Sequence, residues 1–226
     1  YAAGRIHARL ALYGREESVE EAYHYLERAS QLDHSGILPD VVMVKVAFIL
    51  DMPVKQEWYD RIITKLRRHA INAADLNGLH ELSSCQQNVC DTPDGIMEEI
   101  FAIVLQHESL QNAGRREANA YTTYGFYLIN EHNDFQRGLD YTYRAVEAKP
   151  DLAPYWINLI NVLLSMQMTD EAARQLGLFR EAGIPGASSR DFDQLDDLID
   201  ILEESSEYER YLEPVLAYRK QYGVIS

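Results

Sequence analysis

The residues with the most chemical potential lie in a stretch of six, CQQNVC at 85–90, which holds both cysteines of the chain. Four readings compete. A zinc site takes about four ligands, with paired cysteines separated by two to four residues. Here the further ligands would have to come from His69, His80 or His107, which show no paired spacing. A dithiol redox motif takes C-x-x-C at a helix start in an α/β setting, and neither the spacing nor the setting is present. The thiols can also be unrelated and reduced. A short-loop disulfide remains. Residues five apart on an unbroken helix sit about 8 Å apart at Cα, beyond the roughly 7 Å a disulfide tolerates. A Cys85–Cys90 bond therefore requires a helix to stop near Cys85. Asp91-Thr92-Pro93, a helix-start signal, follows at once. The disulfide is the reading adopted. It implies an oxidising compartment, here the bacterial periplasm, with the cytoplasm as the alternative if the thiols are free.

Catalytic sets are missing from the sequence. No H-E-x-x-H, G-x-S-x-G, P-loop or G-x-G-x-x-G occurs. His7, His24, His34, His69, His80, His107 and His132 are scattered at unrelated spacings. Carboxylate pairs such as Glu98–Glu99 and Asp196–Asp197 read as solvated helix faces, although the separation of a glycosidase pair is a spatial matter. The expectation is a chain with no catalytic residue, metal or cofactor.

Charge narrows the partners. A net charge of −15 disfavours nucleic acid, whose phosphates need Lys and Arg, and equally disfavours an anionic lipid surface. With 226 residues, 46% of them hydrophobic, a sizeable core is expected. The apolar run VVMVKVAFIL (41–50) is interrupted by Lys45 and is too short to span a bilayer. The chain opens YAAGRIHARL, without an initiator Met or signal peptide, and reads as a fragment or processed chain. A membrane link would run through a segment outside this sequence.

The elements that position these residues are helical. Apolar residues recur at helical spacing and strand signals are nearly absent. Residues 118–150 and 153–185 align with each other: Tyr121, Tyr124, Gly125 and Leu128 on a first helix correspond to Trp156, Leu159, Ile160 and Leu163. Gly138, Thr142 and Ala145, with Ala172, Leu176 and Phe179, mark the second helices. A third copy at 4–34 carries Ile6, Leu10, Tyr13, Ala22, Leu26 and Ala29. The pattern resembles the tetratricopeptide repeat. Its small residues, Ala22, Gly138 and Ala172, stand where the two helices of a repeat approach most closely. Residues 118–150 depart from it by one extra residue in the turn near Asn133 and by Gly138 where Ala is usual. The resemblance implies one all-α domain over 1–226, an α-α superhelix. Repeats lie at 4–34, 118–150 and 153–185, degenerate helical pairs at 39–110, and capping helices at 190–222, whose outer side is Asp- and Glu-rich.

Such superhelices bind ligands on the concave side, lined by first helices. That face carries Asn119, Thr122, Phe126, Asn130, Asn158, Asn161 and Ser165. Asn offers a donor and an acceptor to an extended peptide backbone, so a protein or peptide is the expected partner, with a glycan as another candidate. The Lys and Arg that accompany Asn in carboxylate-clamping repeats are not read on this face. The layout NAADLNGLHELSSCQQNVCDTPDGIMEEIFAIVLQHESL, followed by YTTYGFYLI and YWINLINVLLSMQMTDEAARQL, is also similar to the C-terminal periplasmic region of multi-pass bacterial inner-membrane proteins of the glycosyltransferase-like or O-antigen polymerase/ligase-like kind. That resemblance implies a non-catalytic, protein-interaction or substrate-positioning domain attached to a membrane glycan-transfer or assembly protein. The alternatives are a free-standing cytosolic adaptor and a helical-repeat enzyme acting on glycans.

Overall fold

The structure is a computed structural model, and it describes residues 17–85 and 95–182. Within them lie nine α-helices and one 3₁₀ turn, and no strand. The helices are α1 (Glu17–Leu32), α2 (Leu38–Ile49), α3 (Gln56–Arg68), α4 (Ala73–Cys85), α5 (Ile96–Gln106), α6 (Arg115–His132), α7 (Phe135–Ala148), α8 (Ala153–Ser165) and α9 (Thr169–Glu181). The protein is all-α, as the periodicity predicts.

Local chemistry sets these boundaries. Pro39 and Pro154 stand in the first turns of α2 and α8, where a missing N–H costs nothing. Lys65, Arg67 and Arg68 crowd the last turn of α3 and complement its dipole. Three hairpin turns share one device. Asp51, Asn133 and Gln167 each adopt a left-handed backbone (φ 53°, 52° and 59°) just past the end of α2, α6 and α8. The reversed chain then returns its N–H groups to the last carbonyls: Met52 to Ala47, Asp134 to Leu128, Met168 to Leu163. The extra residue near Asn133 is accommodated by this turn. Both Asn133 and Asp134 bond to the Leu128 carbonyl, and the Asp134 carboxylate accepts from the Arg137 N–H to cap α7.

Packing follows a repeat. Helices α2, α4, α6 and α8 form a row, each touching the next, and α3, α7 and α9 each pack on the helix before them. Helix α1 packs on α2. The residues before Glu17 in the repeat expected at 4–34, and the capping helices expected at 190–222, lie outside the described residues. Two apolar clusters make up most of the core. One gathers α1 to α6 around Tyr59, Ile62 and Phe101, and the other gathers α6 to α9 around Trp156, Leu159 and Phe179. Helix α6 serves both, with Tyr124 and Leu128 facing the first and Ala118 and Ile129 the second.

The tightest approach is where the small residues predict it. A Cβ at Gly125 would stand 2.9 Å from the Gly138 carbonyl, and one at Gly138 would stand 2.9 Å from the Gly125 carbonyl. Helices α6 and α7 thus meet backbone to backbone. In the next hairpin Ala172 takes the equivalent place, 1% exposed in the cluster that also holds Trp156.

Candidate functional site

The predicted asparagine face divides into spent and unspent groups. Asn119, Thr122, Phe126 and Asn130 follow one another at helical spacing on α6; Asn158, Asn161 and Ser165 do so on α8, which touches α6. Asn119 is committed to the joint between these helices: its Oδ1 accepts from the Tyr155 hydroxyl at 2.7 Å. The same hydroxyl lies 3.2 Å from the Arg115 carbonyl. Thr122 Oγ1 is buried without a hydrogen-bond partner among the described residues. Phe126 packs against the second apolar cluster. Ser165 turns its hydroxyl back to the Val162 carbonyl at 2.8 Å. Asn130 is exposed and Asn158 and Asn161 are half-buried, and no side-chain hydrogen bond engages these three among the described residues. Arg115, exposed one turn before Asn119, is the basic residue at the head of this stripe that pattern reading passed over.

A second feature is not legible in the repeat pattern. Helices α1 and α3 are held apart, and a groove runs between them. One part, about 880 Å³, is lined by Tyr23, Met43, Met52, Pro53 and Trp58, with Glu20, Glu27 and Glu57 at its edge. The next part, about 660 Å³, reaches His34, Arg68 and His69. Gln31 and Glu57 line both parts, so the groove is continuous. The Tyr23 and Trp58 rings stack at 5.4 Å, and Lys55 Nζ sits 5.6 Å over the indole. Tyr23 Oη and Trp58 Nε1 are both buried with no hydrogen-bond partner among the described residues. Burial pushes the Tyr23 phenol up to about 12, so it keeps its proton and remains a donor.

Beneath this groove lies a buried ionic network. Asp40 is fully buried, and its carboxylate accepts from Arg61 Nε (2.7 Å), Lys65 Nζ (2.8 Å) and the Ser30 hydroxyl. Arg61 turns its other nitrogens to both oxygens of Glu27, at 3.0 and 2.9 Å. Lys65 also donates to Ser30 Oγ (3.0 Å) and to the Gly36 carbonyl (3.0 Å). Every charge in the network has a partner, so it ties α1, α2 and α3 together and leaves no group poised for chemistry. Asp75 joins the same region from α4, accepting from the backbone N–H groups of Ile37 and Asn72.

A third feature is an aromatic layer on α5 to α7. Phe101 lies 4.7 Å from Tyr124 and 5.3 Å from Tyr127, and Tyr124 lies 4.7 Å from Tyr141. Glu98 accepts from the Tyr127 hydroxyl at 3.1 Å, and the same oxygen lies 3.0 Å from His132 Nε2. Burial first, and then the Glu98 charge, raises the Tyr127 phenol. These tyrosines pack between helices; Tyr124 does so at its expected place in the repeat.

The described residues contain no group of three or more metal-ligating side chains and no helix long and apolar enough to cross a membrane. The described part of α4 runs to Cys85. Cys90 and the connection that would hold the Cys85–Cys90 bond lie outside the described residues. No protein-family model and no curated protein matches the sequence. Among solved structures, one titled for the functional characterization of Pseudomonas aeruginosa PilF aligns over 98% of this chain and 92% of its own, at 14% identity and a TM-score of 0.47. That likeness is too slight to carry a function.

Proposed function

We propose that the chain is a non-catalytic protein-interaction domain that holds an extended peptide across its first helices α6 and α8. One observation carries this reading. Asn158 and Asn161 stand one turn apart on α8, half-exposed, with donors and acceptors that no group among the described residues takes up. The neighbouring helix adds Asn130 and, at its head, Arg115. A row of unspent carboxamides on two adjacent helices suits a peptide main chain, which offers alternating donors and acceptors. The layout over residues 72–176 supports a setting for this domain: the periplasmic part of a membrane glycan-transfer or assembly protein, where it would position a protein partner or a glycan substrate.

The test is peptide selection on the purified chain from a random-sequence display library, followed by calorimetry. Selected peptides should bind the Asn158→Ala/Asn161→Ala variant at least tenfold more weakly. Two lost hydrogen bonds at about 1 kcal/mol each exceed the 1.4 kcal/mol that makes one decade. The variant's melting temperature should stay unchanged, because neither side chain has a hydrogen-bond partner among the described residues. A library that yields no binder, or binders indifferent to the double substitution, would refute the reading.

A further inference from the structure

We infer that the α6–α8 face selects peptide segments whose side chains are uncharged where they touch it. This rests on the reading of that face as a peptide site, and it names the class of peptide. The observation is where charge stops. Charged residues make up 25% of the chain, one position in four. Yet α6 carries none from Ala118 to Asn130, and α8 carries none at all. Burial does not account for this. Helix α8 reaches solvent at Pro154, Asn158, Asn161, Leu164 and Ser165, where a charged side chain would keep its water. The helices packed beside it do place charge at such positions: Arg137, Asp140, Arg144 and Glu147 are exposed on α7, and Asp170 and Arg174 on α9. The neutral strip belongs to the one face that also holds the unspent carboxamides.

The charges around the strip stand at its ends or are already paired. Arg115 lies eleven positions before Phe126 on α6, about 16 Å along the axis at 1.5 Å per residue. That exceeds the roughly 10 Å over which exposed charges act at 0.1 M salt. Glu131 follows Asn130 at the other end. Glu117 accepts from the Tyr121 hydroxyl at 3.2 Å, and Arg144 pairs with Asp140 at 2.9 Å. At the α7–α8 turn, Lys149 and Asp151 neutralise each other at 2.7 Å. A carboxylate or ammonium laid over Asn158 or Asn161 would shed water and meet only dipoles, with no ion pair to offset the loss. A neutral side chain sheds far less. An extended peptide turns every second side chain towards the surface it lies on, so the exclusion of charge should have a period of two.

The probe is the tightest octapeptide that display enriches on the wild-type chain and loses on the Asn158→Ala/Asn161→Ala variant. Each of its positions is replaced in turn by Asp and by Lys, and binding is followed by fluorescence anisotropy. At alternate positions both replacements should weaken binding about tenfold or more, whatever their sign. At the positions between, neither should change it more than about threefold. The parent peptide's affinity should stay within about twofold from 50 to 500 mM NaCl, because no ion pair holds it. Lys that tightens binding at a facing position would hand selection to the net charge of −15. Asp that tightens it there would hand selection to Arg115. Either result overturns the inference, as does tolerance of both charges at every position, and each leaves the peptide reading standing. Failure to obtain any asparagine-dependent peptide refutes that reading and this inference with it.

Discussion

Replacing Gly138 with Ala sets two effects of opposite sign against each other. Gly is the second-worst residue for a helix interior, so Ala at an unobstructed site should stabilise by about 1 kcal/mol. Position 138 is obstructed. A Cβ there would stand 2.3 Å from Ile129 Cγ1, 2.8 Å from Ile129 Cδ1 and 2.9 Å from the Gly125 carbonyl oxygen. The first distance is more than 1 Å short of an ordinary carbon–carbon contact, and the third is to backbone. Ile129 is 9% exposed and held in the second cluster, so it has little room to turn away. Helices α6 and α7 must therefore part along a seam that also aligns Tyr141 and Thr142. Overpacking of this kind costs about 1–3 kcal/mol, and the backbone contact favours the upper half. After the propensity gain, the net loss should be about 1–2 kcal/mol. Gly177 supplies the internal control. It lies within α9, and a Cβ there would meet nothing within 4 Å, so Gly177→Ala should gain about 0.5–1 kcal/mol. Urea unfolding followed by tryptophan fluorescence, with both variants measured together, gives the comparison. If Gly138→Ala is as stable as Gly177→Ala, the close approach of α6 and α7 is wrong. A loss in both would show that neither value reports that seam.

Two further perturbations test other parts of the structure. Lys65→Met removes four hydrogen bonds and leaves the fully buried Asp40 with Arg61 and Ser30 alone, so unfolding free energy should fall by about 3–5 kcal/mol; a loss below 1 kcal/mol in urea would show that the network is solvated. Glu171 is held down from 4.5 to about 2, chiefly by the Arg174 guanidinium and then by the Tyr143 hydroxyl and Gln175. Because the folded state binds that proton more weakly than the unfolded one, the stabilisation is complete above about 4.5 and is lost as pH falls towards 2. The stability difference between wild type and Glu171→Gln should therefore be largest at pH 6 and shrink by pH 3, and a difference that ignores pH would refute the assignment.

The contrast between pattern and contact is clearest at particular residues. The sequence by itself determined that the described chain is helical, that a turn with an extra residue falls near Asn133, and that Gly138 and Ala172 lie where paired helices touch. These are local matters: helical period, turn chemistry and side-chain size are written residue by residue. The face that holds Asn158 and Asn161 was also legible, because two residues three apart on a helix share a side whatever surrounds them. What only the tertiary structure decided is which polar groups are spent. Asn119 reads like Asn158 in the sequence, yet Tyr155 on the next helix claims its carbonyl. Lys65 stands among Arg61, Arg67 and Arg68 with nothing in its spacing to set it apart, yet it is buried against Asp40, 25 positions earlier. The α1–α3 groove is likewise invisible to periodicity. It arises from two helices distant in sequence, and from rings whose stacking sets Tyr23 beside Trp58. Spacing along a chain fixes direction on one helix, but burial and pairing depend on the neighbour that packing brings, and no residue carries that information alone.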